Sequence, residues 1–174
     1  LIMQNIRVGV CTKCKDELNI IEFMEHYFNL GFSYIFFADD NSKPSIQTII
    51  GDKFKDKYKI VVTNFSKNTQ HWRNIFTKII NENLNEIKNN VDYLFNIDLD
   101  EYLVLKNPIF QNKIQNVINY YEPFDALKIN WTFFGNNNIK SANCSTLKDK
   151  FTQSANTLLD RGIKSLIKLE AYNN

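Results

Sequence analysis

The stretch Tyr93-Leu94-Phe95-Asn96-Ile97-Asp98-Leu99-Asp100-Glu101-Tyr102-Leu103-Val104-Leu105 decides the fold. An apolar, aromatic-rich run climbs into Asp98, Asp100 and Glu101, and a second apolar run leaves. The first run has the length and composition of a buried strand. A strand that ends in clustered acids presents them at the carboxyl edge of a sheet, where open α/β folds bind ligands. Asp98 and Asp100 are two positions apart, so in extended chain they share a face while Leu99 points back into the protein. Carboxylates this close repel one another, and a divalent cation held by oxygen ligands is an economical counter-charge. The same residues also suit an acidic turn that is solvated and inert.

With 174 residues, 44% of them hydrophobic, the chain is long enough for one compact domain with a substantial core. The net charge of +2 comes from lysines interleaved with acids, as in Lys53-Phe-Lys-Asp-Lys-Tyr-Lys59, so a dedicated nucleic-acid surface is not expected. The three sequons, Asn64-Phe-Ser66, Asn130-Trp-Thr132 and Asn143-Cys-Ser145, fit the general excess of asparagine and carry no sign of secretion. Cys11, Cys14 and Cys144 do not make a disulfide framework. Cys11-Thr-Lys-Cys14 lacks a second ligand pair for zinc and ends a strand rather than opening a helix, as a redox motif would. No stretch reaches transmembrane length and no signal peptide opens the chain, so a cytoplasmic location is expected.

Taken in order, the pattern predicts a strand over Ile6–Thr12, a loop over Lys13–Asp16, and a helix through Ile20, Phe23, Met24, Tyr27 and Phe28. Asp16 or Asn19 is expected to cap that helix, and Gly31 to close it. Strands follow at Tyr34–Ala38 and Tyr58–Val62, with a short helix from Pro44 between them. The stripe Trp72, Ile75, Phe76, Ile79, Ile80, Leu84 and Ile87 predicts one helix from about Gln70 to Asn89. After the strand to Asp98, a strand is expected at Glu101–Val104, a helix from Pro108 through Ile118, and strands at Ala126–Trp131 and Ile163–Leu169. Asn136–Asp160 has no clear assignment. Strands alternating with helices give a mainly parallel sheet covered on both faces.

In such a fold Asp39 and Asp40, which end the second strand, crowd the same edge as Asp98, Asp100 and Glu101. Acids after the second strand suit a ribose or a base, those of the later loop a metal, and Lys15 and Arg73 phosphates.

These residues resemble glycosyltransferase family 92 and its relatives. Val10-Cys-Thr-Lys-Cys-Lys-Asp-Glu17, with Phe23-Met-Glu-His26 and Leu30-Gly31, is similar to the family's Lys-Asn-Glu opening, Asp16 standing for the Asn. Ala38-Asp-Asp-Asn-Ser42 resembles the uridine-binding Asp-Asp-x-Ser loop, Arg73-Asn74 a pair that opens the following helix, and Asn96-Ile-Asp-Leu-Asp-Glu-Tyr102 the D-x-D signature. Ile129-Asn-Trp-Thr-Phe-Phe-Gly135 is similar to a Trp-x-x-Phe-Gly segment, and Lys164-Ser-Leu-Ile-Lys168 to Lys-Ser-Ile-Val-Arg. In Leu147-Lys-Asp-Lys-Phe151, Asp149-Lys150 replaces a Glu-Arg pair.

The resemblance implies an α/β, GT-A (Rossmann-like) nucleotide-sugar-binding fold over residues 1–174, one domain without the carboxyl-terminal part of relatives. It implies transfer of a hexose from a UDP-sugar, UDP-glucose or UDP-galactose, to a hydroxyl of a glycan or other acceptor, with inversion. Mn2+ or Mg2+ on Asp100 and Asp98 would neutralise the departing diphosphate. Thr12, Lys15, Glu17, Asp39, Asp40, Arg73, Asp98 and Lys164 are the expected donor-binding residues. Asp149 and Glu101 are the candidate bases, Asp149 slightly preferred because a metal beside Glu101 would weaken it as a base. Of the two histidines, His26 suits a structural place on its helix, and His71 suits the cleft. Trp131 suits either sugar stacking or the core. Competing readings are a nucleotide-sugar-binding module without turnover, and a D-x-D phosphatase with Asp98 as nucleophile.

Overall fold

The computed structural model describes residues 5–54, 59–64, 77, 80–135, 146–154 and 162–173. Within them the strands are β1 (Val8–Cys14), β2 (Tyr34–Asp39), β3 (Lys59–Asn64), β4 (Tyr93–Asn96), β5 (Ala126–Asn130), β6 (Phe134–Gly135), β7 (Gln153–Ser154) and β8 (Ile163–Lys168). The α-helices are α1 (Ile20–Asn29), α2 (Ile46–Ile50), α3 (Leu84–Asn90), α4 (Ile114–Tyr121) and α5 (Leu147–Lys150).

The described strands form a six-stranded sheet in the order β3-β2-β1-β4-β8-β5, with β6 and β7 paired separately. The first four strands are mutually parallel. β8 runs antiparallel to β4, and β5 antiparallel to β8. The chain is therefore mixed α/β with a mostly parallel sheet. Strand order reverses on either side of β1, and the β1–β4 crevice is where such a sheet binds ligands.

Alternation along the strands sorts two cores. Val8, Val10, Ile35, Phe37, Tyr93 and Phe95 face α1, α2 and α4, through Ile20, Phe23, Tyr27, Ile46, Ile114 and Ile118. Cys11, Phe36, Ala38 and Leu94 face Ile80 and Ile87 on the other side. Both faces of β1 and β2 are covered, which is why these strands read as continuous apolar runs. Cys11 and Cys14 lie three apart on one strand, so their thiols fall in opposite cores and cannot act as a pair.

Several expectations change. β1 continues through Lys13 and Cys14 rather than ending at Thr12. Asn19 takes the N-cap position of α1, but neither it nor Asp16 caps the helix with its side chain. Residues 80–82 are helical, Asn83 turns, and α3 begins at Leu84; the rest of the predicted Gln70–Asn89 helix lies outside the described residues apart from Thr77. The helix foreseen from Pro108 is split: Pro108–Phe110 is a 3-10 turn, Gln111 and Asn112 are left-handed, and α4 starts at Ile114. The expected strand at Glu101–Val104 is absent, for a reason found in the site itself.

Gly31 ends α1 as foreseen, with φ +93. Gln115 of α4 donates to its carbonyl at 2.6 Å, and a Cβ on residue 31 would overlap the Gln115 amide, 3.2 Å from Cδ. Gly31→Ala is expected to cost about 1–2 kcal/mol, roughly 2–8 °C in Tm for a domain of this size. In a Gln115→Ala background the steric part vanishes and the backbone part remains. Equal losses in both backgrounds would show that the Gln115 contact contributes nothing.

Candidate functional site

Three strands deliver charge to the β1–β4 crevice. Lys13, the penultimate residue of β1, places its Nζ 3.0 Å from Asp98 Oδ1. Lys164, the second residue of β8, reaches over β4 to Asp98 Oδ2 at 2.8 Å and Glu101 Oε2 at 2.7 Å. Glu101 also accepts a bond from the Asp98 amide at 3.2 Å, and the Glu101 amide donates to the Asp98 carbonyl at 3.1 Å, closing a tight turn. The positive charge opposing Asp98 and Glu101 is thus supplied by two lysines of the chain itself. Lys13 was not singled out from the sequence. Its signal was a cation in the last two residues of an otherwise buried strand.

The two acids diverge in character. Burial alone would push Asp98 up, but Lys164 and Lys13 more than offset it and hold its carboxyl below the usual range. Glu101 is pushed up, chiefly by burial and further by the charge of Asp98, and its share of Lys164 does not restore it. The surroundings thus separate two neighbouring carboxyls, holding one below and the other above its usual range.

The segment bearing them is held by α1. Asn19 Nδ2 donates to the Leu99 carbonyl at 2.8 Å and to the Tyr102 hydroxyl at 3.2 Å. The buried Tyr27 hydroxyl donates to the Glu101 carbonyl at 3.0 Å and accepts from the Leu103 amide at 3.3 Å. His26 Nε2 meets the Leu103 carbonyl at 2.9 Å, the structural place expected for it. Carbonyls 99, 101 and 103 are spent on helix side chains, while Leu99 and Leu103 fill the core. Glu101–Val104 is therefore pinned as irregular chain rather than paired as a strand.

The remaining candidates divide. Asp39 is buried and accepts the Ser42 amide at 2.8 Å, a local turn bond. Asp40 pairs with Lys15 at 2.8 Å at the surface. Thr12 is fully buried, its hydroxyl on the Lys13 carbonyl at 3.4 Å. Ser42 accepts from the Asp16 amide at 3.0 Å and Asp16 from the Lys43 amide at 2.7 Å, joining the loops after β1 and β2. Glu17 is exposed, and its carboxyl is pushed up by desolvation and then by the charges of Asp100 and Asp16. Asp149 sits at the third position of α5. It accepts from Thr146 Oγ1 at 2.6 Å, and its amide donates back at 3.2 Å, a helix-start arrangement. α5 itself docks on α1 through the Leu147 amide on Glu22 at 2.9 Å, with Lys148 over the Tyr102 ring. Arg73 and His71 lie outside the described residues.

The donor set available to a cation is carboxylate only, which suits hard Mn2+ or Mg2+ rather than zinc. Among the described residues no three His, Cys, Asp or Glu side chains converge on one point. Asp100 is exposed and its charge is felt at Glu17, while both carboxylate oxygens of Asp98 are engaged by Lys13 and Lys164.

The chain matches the model of glycosyltransferase family 92 over residues 7–174. A search of curated proteins gave no match. Among the described residues no helix is long and apolar enough to cross a membrane.

Lys164→Met is expected to lower stability by about 2 kcal/mol at pH 8, the usual cost of breaking a buried pair discounted for partial exposure. The sign follows from the groups left behind. In the variant Asp98 loses the largest of the effects that hold its carboxyl down and keeps only Lys13 against burial, so it binds a proton more readily on acidification. Glu101, raised in the fold, takes up a proton on acidification and relieves the repulsion. The loss should shrink at pH 5. Thermal melts of both proteins across this range test it, and a loss independent of pH contradicts it.

Proposed function

Because the chain belongs to glycosyltransferase family 92, we propose that it transfers a hexose from a UDP-sugar to a hydroxyl of a glycan or similar acceptor, on a GT-A fold, with inversion. Family membership implies a sugar donor and an acceptor. The observation that supports the finer reading is the Lys13–Asp98–Lys164–Glu101 cluster in the crevice where the strand order reverses.

The chemical difficulty is departure of a diphosphate from the anomeric carbon, through a transition state of oxocarbenium character. Lys13 and Lys164 stand where that leaving group gathers charge, and preorganised cations are worth most there. Lys15, just past β1, and Asp40, just past β2, pair at the same edge and would serve the phosphates and the ribose or base respectively. Asp100 with Asp98 would hold Mn2+ or Mg2+, on the side where the charge of Asp100 is felt at Glu17. The cation would supply Lewis-acid neutralisation of the diphosphate. Glu101 is the base in this reading, since it belongs to the charged cluster and its carboxyl is held above its usual range. Asp149 already serves the start of α5.

A thermal-shift series with UDP-glucose, UDP-galactose, GDP- and CMP-sugars, each with and without manganese, tests the donor. A UDP-sugar with manganese should raise Tm most, and Asp100→Ala should abolish the metal-dependent part. Preference for a GDP- or CMP-sugar would overturn the uridine assignment. UDP-sugar binding without turnover of any acceptor would favour a binding module.

The base is tested separately. Glu101→Gln should reduce kcat about 100- to 10,000-fold with little change in donor affinity, and Asp149→Asn should reduce it far less. The reverse order would return the role to Asp149.

A further inference from the structure

Trp131 follows β5 and pairs with the strand opposite, its amide donating to the Gly162 carbonyl at 2.9 Å. Leu127 and Ile129 of β5 pack toward the α1 side of the sheet, so alternation places Trp131 on that face too. Ile129 is opposite Lys164, the residue that grips Asp98 and Glu101. The indole therefore lies over Gly162, one register step from the charged cluster. A Cβ on residue 162 would overlap Trp131 Cε3 and sit 3.0 Å from Cδ2, so a bare backbone is what lets the ring lie there. Phe133 meets the indole edge-on at 5.4 Å and 78°, yet is 54% exposed. Aromatic side chains kept for packing bury their surface; Phe133 is exposed and Trp131 is only partly buried.

Position along the sheet sets what the rings meet. Asp40 follows β2, the charged cluster spans β1, β4 and β8, and Trp131 follows β5 at the far side of the sheet. Two strand spacings, about 10 Å, separate β4 from β5, which is room for a sugar ring beyond the diphosphate contacts. A pyranose presents an apolar C–H face that suits an aromatic ring and a rim of hydroxyls that stays polar.

We propose that Trp131 and Phe133 form the acceptor subsite, on which a pyranose ring stacks with one hydroxyl directed toward Glu101. The proposal rests on the glycosyl-transfer reading above.

Saturation-transfer NMR and titration of the full chain with methyl β-glucopyranoside and methyl β-galactopyranoside test it, alone and with UDP and manganese. Saturation should reach the ring C–H protons of at least one of the two. Phe133→Ala should weaken its binding at least fivefold, and Gly162→Ala similarly by displacing the indole, with UDP affinity within twofold of the parent. Absence of transfer to both sugars, or Phe133→Ala binding as well as the parent, overturns the subsite. So does a Phe133→Ala variant that loses affinity for a UDP-hexose but not for UDP, since the surface would then belong to the donor's hexose. Pyranoside binding that depends on Phe133 in a chain that binds no UDP-sugar would instead refute the donor reading and leave the subsite standing.

Discussion

Four charged groups meeting where the sheet order reverses are the constraint on which the rest depends. Lys13 comes from β1, Asp98 and Glu101 follow β4, and Lys164 comes from β8. Taking such groups from water costs several kcal/mol each, and their mutual attraction does no more than offset it. The cluster is therefore weak support for stability and strong support for geometry. Each partner is tolerable only while the others hold their places. Lys164 meets the acids just past β4 because β8 runs antiparallel beside it, with Ser165 opposite Asn96.

The irregular chain after β4 is ordered by a helix rather than by the sheet. Asn19, His26 and Tyr27 project from the start and the far end of α1 to the backbone of residues 99–103. A loop with no ladder must find partners for its amides and carbonyls elsewhere. These side chains supply them, and the apolar residues between fix the helix in the core. The acids are thus aimed by α1, although none belongs to it. A helix that looks purely structural in its apolar stripe is also the support of the site.

This division explains which features were legible in the sequence. Strands β1 to β4 and helix α1 announce themselves through local apolar patterns, because each is buried by its immediate neighbours. The acidic stretch was legible for the same reason: a buried run must stop where its charges begin. Glu101–Val104 misled because a short apolar run can place one residue in the core without pairing as a strand, and only the distant α1 side chains decide between the two. The break between Pro108 and Ile114 turns on left-handed Gln111 and Asn112, ordinary polar residues whose backbone state no local pattern encodes. The antiparallel placement of β8 is a long-range matter of register. With it went any view of Lys13 and Lys164 as partners of one carboxylate.

The charge tally connects these lysines to the acids that remain. Asp98, Glu101, Asp100 and Glu17 set four carboxylates against the two ammonium groups of Lys13 and Lys164. The excess of negative charge falls on the exposed side, where the charges of Asp100 and Asp16 push the Glu17 carboxyl up. A cation arriving there would relieve that repulsion without displacing the buried pairs. An anion arriving next would meet lysines already anchored by Asp98 and Glu101. Buried lysines and an outer divalent ion are then complementary rather than rival answers to the same excess of negative charge. On the proposed reading the lysines hold Asp98 and Glu101 in place before any ligand is bound, and the divalent ion would serve the diphosphate.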